Sequence, residues 1–324
     1  MRFSLHRIID SQTVPGLHQP VSVAVDSRGN LLVCDHHREG PPTLSRLVAA
    51  DGYARVVLGV EATLGVPPEI VRSGPGDSLY IFGFLRDAPR EQASRAVRLS
   101  GYGVLEQTYV FPQGSVPTDM CVDRNGKLWA IFPEDSPVAM LHAYDLDGSV
   151  FFDYGASVKA ARQAEAASPP AFADGQSLAV GPDGSVWFGA YEPSPDEDEE
   201  GREAINCAVN LGTDGSWRSW WFPSTFAGGD AFGDFYGLAA PHNGVLVTVA
   251  YGSPSDFGER DEFLLELDGT SRRATWHNLA DDVGLNDLKA RLFPSIADIT
   301  YRNGLLYLCD RNQSRIIVLR VEED

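Results

Sequence analysis

Ile299–Val321 reads ITYRNGLLYLCDRNQSRIIVLRV. Two short apolar runs flank the glycine Gly304, and a third, RIIVLRV, follows after DRNQS. Each run is too short for a helix and rich in Val, Leu, Ile or aromatic residues, so each reads as a strand.

Five earlier stretches repeat the opening of this unit: VSVAVDSRGNLLVCD (21–35), EIVRSGPGDSLYIFGF (69–84), DMCVDRNGKLWAIF (119–132), SLAVGPDGSVWFGAY (177–191) and GLAAPHNGVLVTVAY (237–251), with ADITYRNGLLYLCD (297–310) as the sixth. Their turn glycines are Gly29, Gly76, Gly126, Gly184, Gly244 and Gly304, spaced 47, 50, 58, 60 and 60 residues apart. A fixed motif at variable spacing means constant units separated by loops of different length. Asn125-Gly126, Asp183-Gly184 and Asn243-Gly244 are residue pairs that tolerate the positive φ of tight hairpins.

Each of the first five units carries a second hairpin, turning at Asp51-Gly52, Ser100-Gly101, Asp147-Gly148, Asp214-Gly215 and Asp268-Gly269. The sixth has a third strand but no second turn, and Arg2–Ile9, RFSLHRII, supplies the missing fourth strand. Closure of this kind leaves no open sheet edge. The expected fold is all-β: a six-bladed β-propeller of four-stranded blades, closed by the N-terminal strand joining the C-terminal blade. It forms a single domain over 1–324, with blades near 20–60, 68–112, 117–155, 175–223, 235–279 and 296–321 plus 2–9.

The longest insertions fall on one face, the one where each inner strand begins. They are 156–173, 192–203, 224–235, 252–262 and 279–294. Two short helices are expected among them, one within Ser157–Ala167 and one at NDLKARLF capped by Asn286. Residues 192–203, EPSPDEDEEGRE, hold seven acidic residues against one Arg, a solvated like-charged loop. Loops on a rigid scaffold usually carry function, so this face is where binding is expected.

The chain carries 26 Lys and Arg against 45 Asp and Glu, a formal net charge of −19. That charge disfavours nucleic acid and anionic membrane as partners and favours cations or a basic protein surface. The N-terminal MRFSLHRIIDSQ has neither an apolar core nor a small-residue cleavage site, so no signal peptide is expected. No apolar run is long enough to span a bilayer. Cys34, Cys121, Cys207 and Cys309 sit within strand patterns with no CxxC pair, which fits reduced, buried thiols in the cytoplasm.

Alignment on the turn glycines places one residue of each inner strand near the upper channel: Ser22, Glu69, Asp119, Ser177, Tyr236 and, with one residue of slack, Asp298. Glu69, Asp119 and Asp298 are the candidate catalytic and metal-holding carboxylates; three such groups about one axis suit Ca²⁺ or Mg²⁺, or an acid–base pair. The alternative is that they bond backbone amides or channel water. Ser22, Ser177, Tyr236, His36 and His37 are the candidate ligand-binding residues. Asp35 and Asp310 occupy equivalent places after the second strands of blades one and six, and Asp35 with His36 and His37 could also form a transition-metal site. No GxSxG, HExxH or Cys-His nucleophile pattern is present.

The units VAVDSRGNLLVCD, CVDRNGKLWAIF and, most closely, GLLYLCDRNQSRIIVL resemble NHL-repeat propellers and the wider regucalcin/gluconolactonase-like superfamily. The last stretch matches through Asp310, Asn312, Arg315 and Ile316. For the lactonase branch the resemblance implies a divalent metal in the central channel, held in part by a Glu of an EGP-type motif before the first inner strand. Here that stretch is LHQPVSVAVD, without a Glu, and Glu39-Gly40-Pro41 lies beyond the second strand.

Two functions follow as expectations. The leading one is a non-enzymatic propeller binding a small molecule or a basic protein on its acidic face. The alternative is a divalent-metal-dependent lactonase or hydrolase using the channel carboxylates.

Overall fold

The computed structural model describes residues 1–37, 40–84, 94–111, 115–133, 141–157, 174–192, 205–221, 237–243, 245–251, 260–268, 273–287, 289–290 and 295–322. Their strands form six antiparallel sheets, taken here as blades one to six. The inner strands are Gln19–Val25, Pro68–Ser73, Asp119–Val122, Asp174–Val180, Leu238–His242 and Ile296–Arg302. Each inner strand touches that of the next blade, and the last touches the first, so the sheets close into a ring.

The closing contact is an outer one. Arg2–Asp10 pairs antiparallel with Arg315–Glu322, from Arg2 opposite Glu322 to Asp10 opposite Arg315, with one irregularity between Leu5 and Arg7. Most of this strand faces water; Phe3 and Ile9 are its buried anchors. Phe3 packs into the core between blades five and six, and Ile9 into that between blades six and one. The terminal ammonium lies 2.9 Å from Glu266 of blade five.

The hydrophobic cores lie between blades. One cluster joins blades one and two through Leu32, Cys34, Val71 and Ile81. Another joins three and four through Trp129, Leu141, Phe188 and Val209. Strand alternation explains this: one face of every sheet packs on the previous blade and the other on the next, so both faces must be apolar. Trp217 packs into the core between blades three and four; the side chains of Trp220 and Trp221 lie outside the described residues.

The turns follow their sequence with one shift. In blade three, Asp123 Oδ1 accepts from the backbone N–H groups of Asn125 and Lys127, at 2.8 and 2.9 Å, and Gly126 takes φ 81°. In the second hairpin of blade two the left-handed residue is Gly103, φ 82°, rather than Gly101. Gly103 N–H donates to Ser100 O, which moves the tight bend two residues on.

One expectation needs correction. Each blade is a run of four strands, and blade five carries beside it a two-residue ladder, Lys289–Ala290, paired to Arg260 and Asp261. That ladder takes the place of the helix expected at NDLKARLF. The helix of this link is Leu279–Val283 instead. Asn278 caps it, accepting from Ala280 and Asp281 N–H at 2.8 and 3.3 Å, and Gly284 ends it in the left-handed region. Asp281 and Asp282 in its first turn complement the helix dipole. Most of the helix expected within Ser157–Ala167 lies outside the described residues, as do Gly244, Gly269 and nearly all of 192–203, 224–235 and 252–259. Among the described residues no helix is long and apolar enough to cross a membrane.

Candidate functional site

At the axis the inner strands hand one side chain to the next blade. Ser22 Oγ of blade one accepts from Val71 N–H of blade two at 3.1 Å. Asp119 Oδ2 of blade three accepts from Leu178 N–H of blade four at 2.8 Å. Asp298 Oδ2 of blade six accepts from Val23 N–H of blade one at 2.9 Å and from Ser22 Oγ at 2.9 Å. An inner strand has a free edge facing the channel, and these side chains satisfy part of it.

Between these groups lies a residue the repeat alignment passed over. Arg72 Nη1 donates to Asp298 Oδ2 at 2.8 Å, and Nη2 to Asp298 Oδ1 at 3.1 Å and Asp119 Oδ1 at 2.5 Å. Its Nε donates to Met120 O at 2.7 Å, and Nη1 also meets Ser22 Oγ and Val71 O, each at 2.9 Å. All three guanidinium nitrogens are used. Burial would lower the pKa of Arg72, but Asp119 and Asp298 overcome that and raise it. Burial lifts the Asp119 carboxyl to about 6; Arg72 pulls the other way and Asp298 adds to the rise. The signal was present in the sequence. At the level of Arg72 on the inner strands the other five blades have Ala24, Cys121, Ala179, Ala239 and Thr300, so it is a cation among small side chains.

Glu69 does not join Asp119 and Asp298. It stands on the bulge between Pro68 and Ile70, the place of Val21 in blade one, so Ile70 rather than Glu69 is the counterpart of Ser22. Its carboxylate meets His36 of blade one, Nε2 to Oε2 at 2.7 Å, with both side chains mostly buried. The expected three-carboxylate metal site is therefore corrected: among the described residues no group of three His, Cys, Asp or Glu side chains could hold a metal. The axial residues do not fit Ca²⁺ or Mg²⁺ either, because a guanidinium fills the space between the two carboxylates. Ser177 is buried on its inner strand. Tyr236 lies outside the described residues.

Beside the His36–Glu69 pair sits a second polar group. The buried Asp35 accepts from His18 N–H through both oxygens at 3.1 Å and lies 3.5 Å from Arg55 Nη2. His37 Nε2 lies 3.1 Å from Thr43 Oγ1 and 3.8 Å from Asp35, with the His18 ring edge-on at 5.0 Å. Burial raises the Asp35 carboxyl against the pull of these partners and lowers the His37 imidazole. The equivalent Asp310 of blade six accepts from Arg315 Nε at 2.8 Å and Gln313 N–H at 3.1 Å, and Arg315 reaches on to Asp287. Both aspartates thus fix loop backbone and a neighbouring Arg.

Below Arg72, toward the turn glycines, the channel widens into a cavity of about 170 Å³ lined by Ala24, Cys121, Leu178, Leu238 and Ile299, with Tyr301 and Arg302 lower down.

No family profile matches the sequence, and no curated protein does. Solved structures do match. A PQQ-bound aldose sugar dehydrogenase from Streptomyces coelicolor is 14% identical, with TM-score 0.54, over 99% of this chain and 98% of that one. What the two chains share is the fold. A gluconolactonase from Xanthomonas campestris is 13% identical, TM-score 0.54, over 99% and 95% of the two chains. A glucose dehydrogenase is 15% identical, TM-score 0.52, over the whole of both. The expectation of a non-enzymatic binder is not kept: these structural relatives of the propeller are enzymes, and the hydrolase reading is the one carried forward.

Proposed function

We propose that the protein is a hydrolase acting on a small oxygen-rich cyclic ester, a lactone of the sugar-acid kind, with His36 as general base and Glu69 as the residue that orients it. The observation that carries this reading is the 2.7 Å contact between His36 Nε2 and Glu69 Oε2, made across blades one and two on the insertion-bearing face. The enzymatic character and sugar chemistry of the structural relatives support the substrate class.

With the Nε2 proton donated to Glu69, His36 Nδ1 is the nitrogen that takes a proton from water. Water attacks the ester carbonyl, its proton passes to His36, the ring C–O bond breaks, and His36 returns the proton to the leaving alkoxide. The product is a hydroxy acid. Glu69 stabilises the imidazolium formed on the way, the role a carboxylate plays behind a histidine base.

The test is a panel of five- and six-membered lactones and simple esters, assayed with wild type, His36→Gln and Glu69→Gln. The expected outcome is turnover by wild type and a loss of roughly 10²–10⁴-fold in kcat for His36→Gln, the usual span for a general base. A wild type inactive on the whole panel, or a His36→Gln variant with unchanged kcat, ends the proposal.

A further inference from the structure

The structural resemblance implies a cation at the axis, and this chain puts one of its own there. We propose that the axial carboxylate pair is a cation site whose resident cation is the Arg72 guanidinium, a tie between blades that excludes a divalent metal from the channel. The inference does not depend on the hydrolase reading.

Four observations carry it. Asp119 and Asp298 come from non-adjacent blades, yet both reach the same guanidinium. The inner oxygens of the two carboxylates are taken by Arg72, and their remaining contacts are the N–H groups of Met120, Leu178 and Val23 and the Ser22 hydroxyl. Arg72 also touches blades one and three through Ser22 and Met120 O, so a single side chain joins four inner strands. Finally, the strand register places Ala24, Cys121, Ala179, Ala239 and Thr300 at the position of Arg72 in the other five blades, none of which could fill the space or carry the charge.

A planar fork of N–H donors suits this geometry in a way that a spherical ion does not. Ca²⁺ needs six to eight oxygen ligands at roughly 2.3–2.6 Å, and Mg²⁺ a near-octahedral six. The axis offers the carboxylate oxygens and Ser22 only in directions that already meet the guanidinium edge. Two carboxylates against one guanidinium leave the cluster at net −1. Removing Arg72 would leave two buried carboxylates about an open space of side-chain size, which a small cation could then enter.

The experiment compares wild type with Arg72→Ala. Calorimetric titration of wild type with Ca²⁺ and with Mg²⁺ is expected to show no binding that Asp119→Asn abolishes. Arg72→Ala is expected to unfold on the order of 5–10 °C below wild type. Low-millimolar guanidinium, and Ca²⁺ or Mg²⁺ separately, are expected to restore part of that shift, whereas equal concentrations of tetramethylammonium do not. If Arg72→Ala does not fold alone, the same ions are supplied during refolding, and recovery of native protein only with them supports the proposal. Stoichiometric divalent binding by wild type that depends on Asp119 would overturn it. So would an Arg72→Ala variant that is as stable as wild type, or one that no cation rescues.

Discussion

Arg72 meets both oxygens of Asp298, at 2.8 and 3.1 Å, past the inner strand of the blade that separates them. The two residues are 226 positions apart in sequence and belong to blades two and six. A buried pair of this kind is costly to break from one side, because the partner left behind is a buried, unpaired charge.

That asymmetry gives the first prediction. Arg72→Met and Asp298→Asn should each cost roughly 3–5 kcal/mol in urea unfolding. The double variant should cost less than their sum by about 1–3 kcal/mol, because neither partner is left alone. Strict additivity would mean that the two residues do not act as a pair.

Ring closure yields the second. Ile9 is fully buried among Val14, Leu17 and Ile316, so Ile9→Ala should cost about 2–5 kcal/mol. Removal of residues 1–10 should do more than destabilise. It bares the edge of Arg315–Glu322, and light scattering should report association at concentrations where the intact chain is monodisperse. A truncated protein with unchanged stability and scattering would show that the N-terminal strand is not the closing one.

How far the sequence announced all this varies from residue to residue. The inner hairpins could be read because a turn glycine fixes backbone conformation locally, whatever lies around it; Gly29, Gly126, Gly184 and Gly304 all keep positive φ. Asp119, Asp298 and Ser22 could be placed near the axis for the same reason, since the distance from the turn sets their level in the channel. Glu69 could not, because the turn glycine of blade two stands one residue off relative to its strands, which puts Glu69 on the bulge and Ile70 at the place of Ser22. Its pairing with His36 is a contact between blades, and no spacing rule within one repeat encodes it. Arg72 is legible as a cation within an inner strand, but its carboxylate partners come from blades three and six, and no spacing within one repeat encodes that contact. Asn278 and Asn286 can each cap a helix in the last link, and the strand pairing of Lys289–Ala290 with blade five leaves the first as the cap.

The cysteines offer a third prediction. Cys34, Cys121 and Cys309 are buried, and burial raises each thiol well above its ordinary value. The thiolate is the reactive form, so these three should resist alkylation by iodoacetamide in the native protein and react once it is unfolded. Peptide mapping by mass spectrometry distinguishes the sites. Rapid native labelling of Cys34 or Cys309 would contradict the packing between blades six, one and two.

The last prediction concerns pH and rests on Glu262. This residue is buried at the start of blade five's third strand, where its carboxylate accepts from Ser295 and Ile296 N–H. Burial lifts its pKa from 4.5 to about 7; the two backbone donors and Arg311 pull it down, and Asp310 pushes it up. The folded protein therefore holds this proton at pH values where the unfolded chain has lost it. Between about pH 4.5 and 7 the native state binds more protons, so stability falls as pH rises through that window and then levels off, by roughly 3 kcal/mol at most. Asp77, Asp183 and Asp287 act in the opposite sense, since their partners lower their pKa values. Their stabilisation is lost only as pH falls below about 4, outside the Glu262 window. Urea unfolding at pH 5, 6, 7 and 8 should thus show wild type declining toward pH 7, and Glu262→Gln, which cannot titrate, should show a shallower decline whatever its absolute stability. Parallel curves for the two proteins would mean that Glu262 is ionised in the folded state throughout.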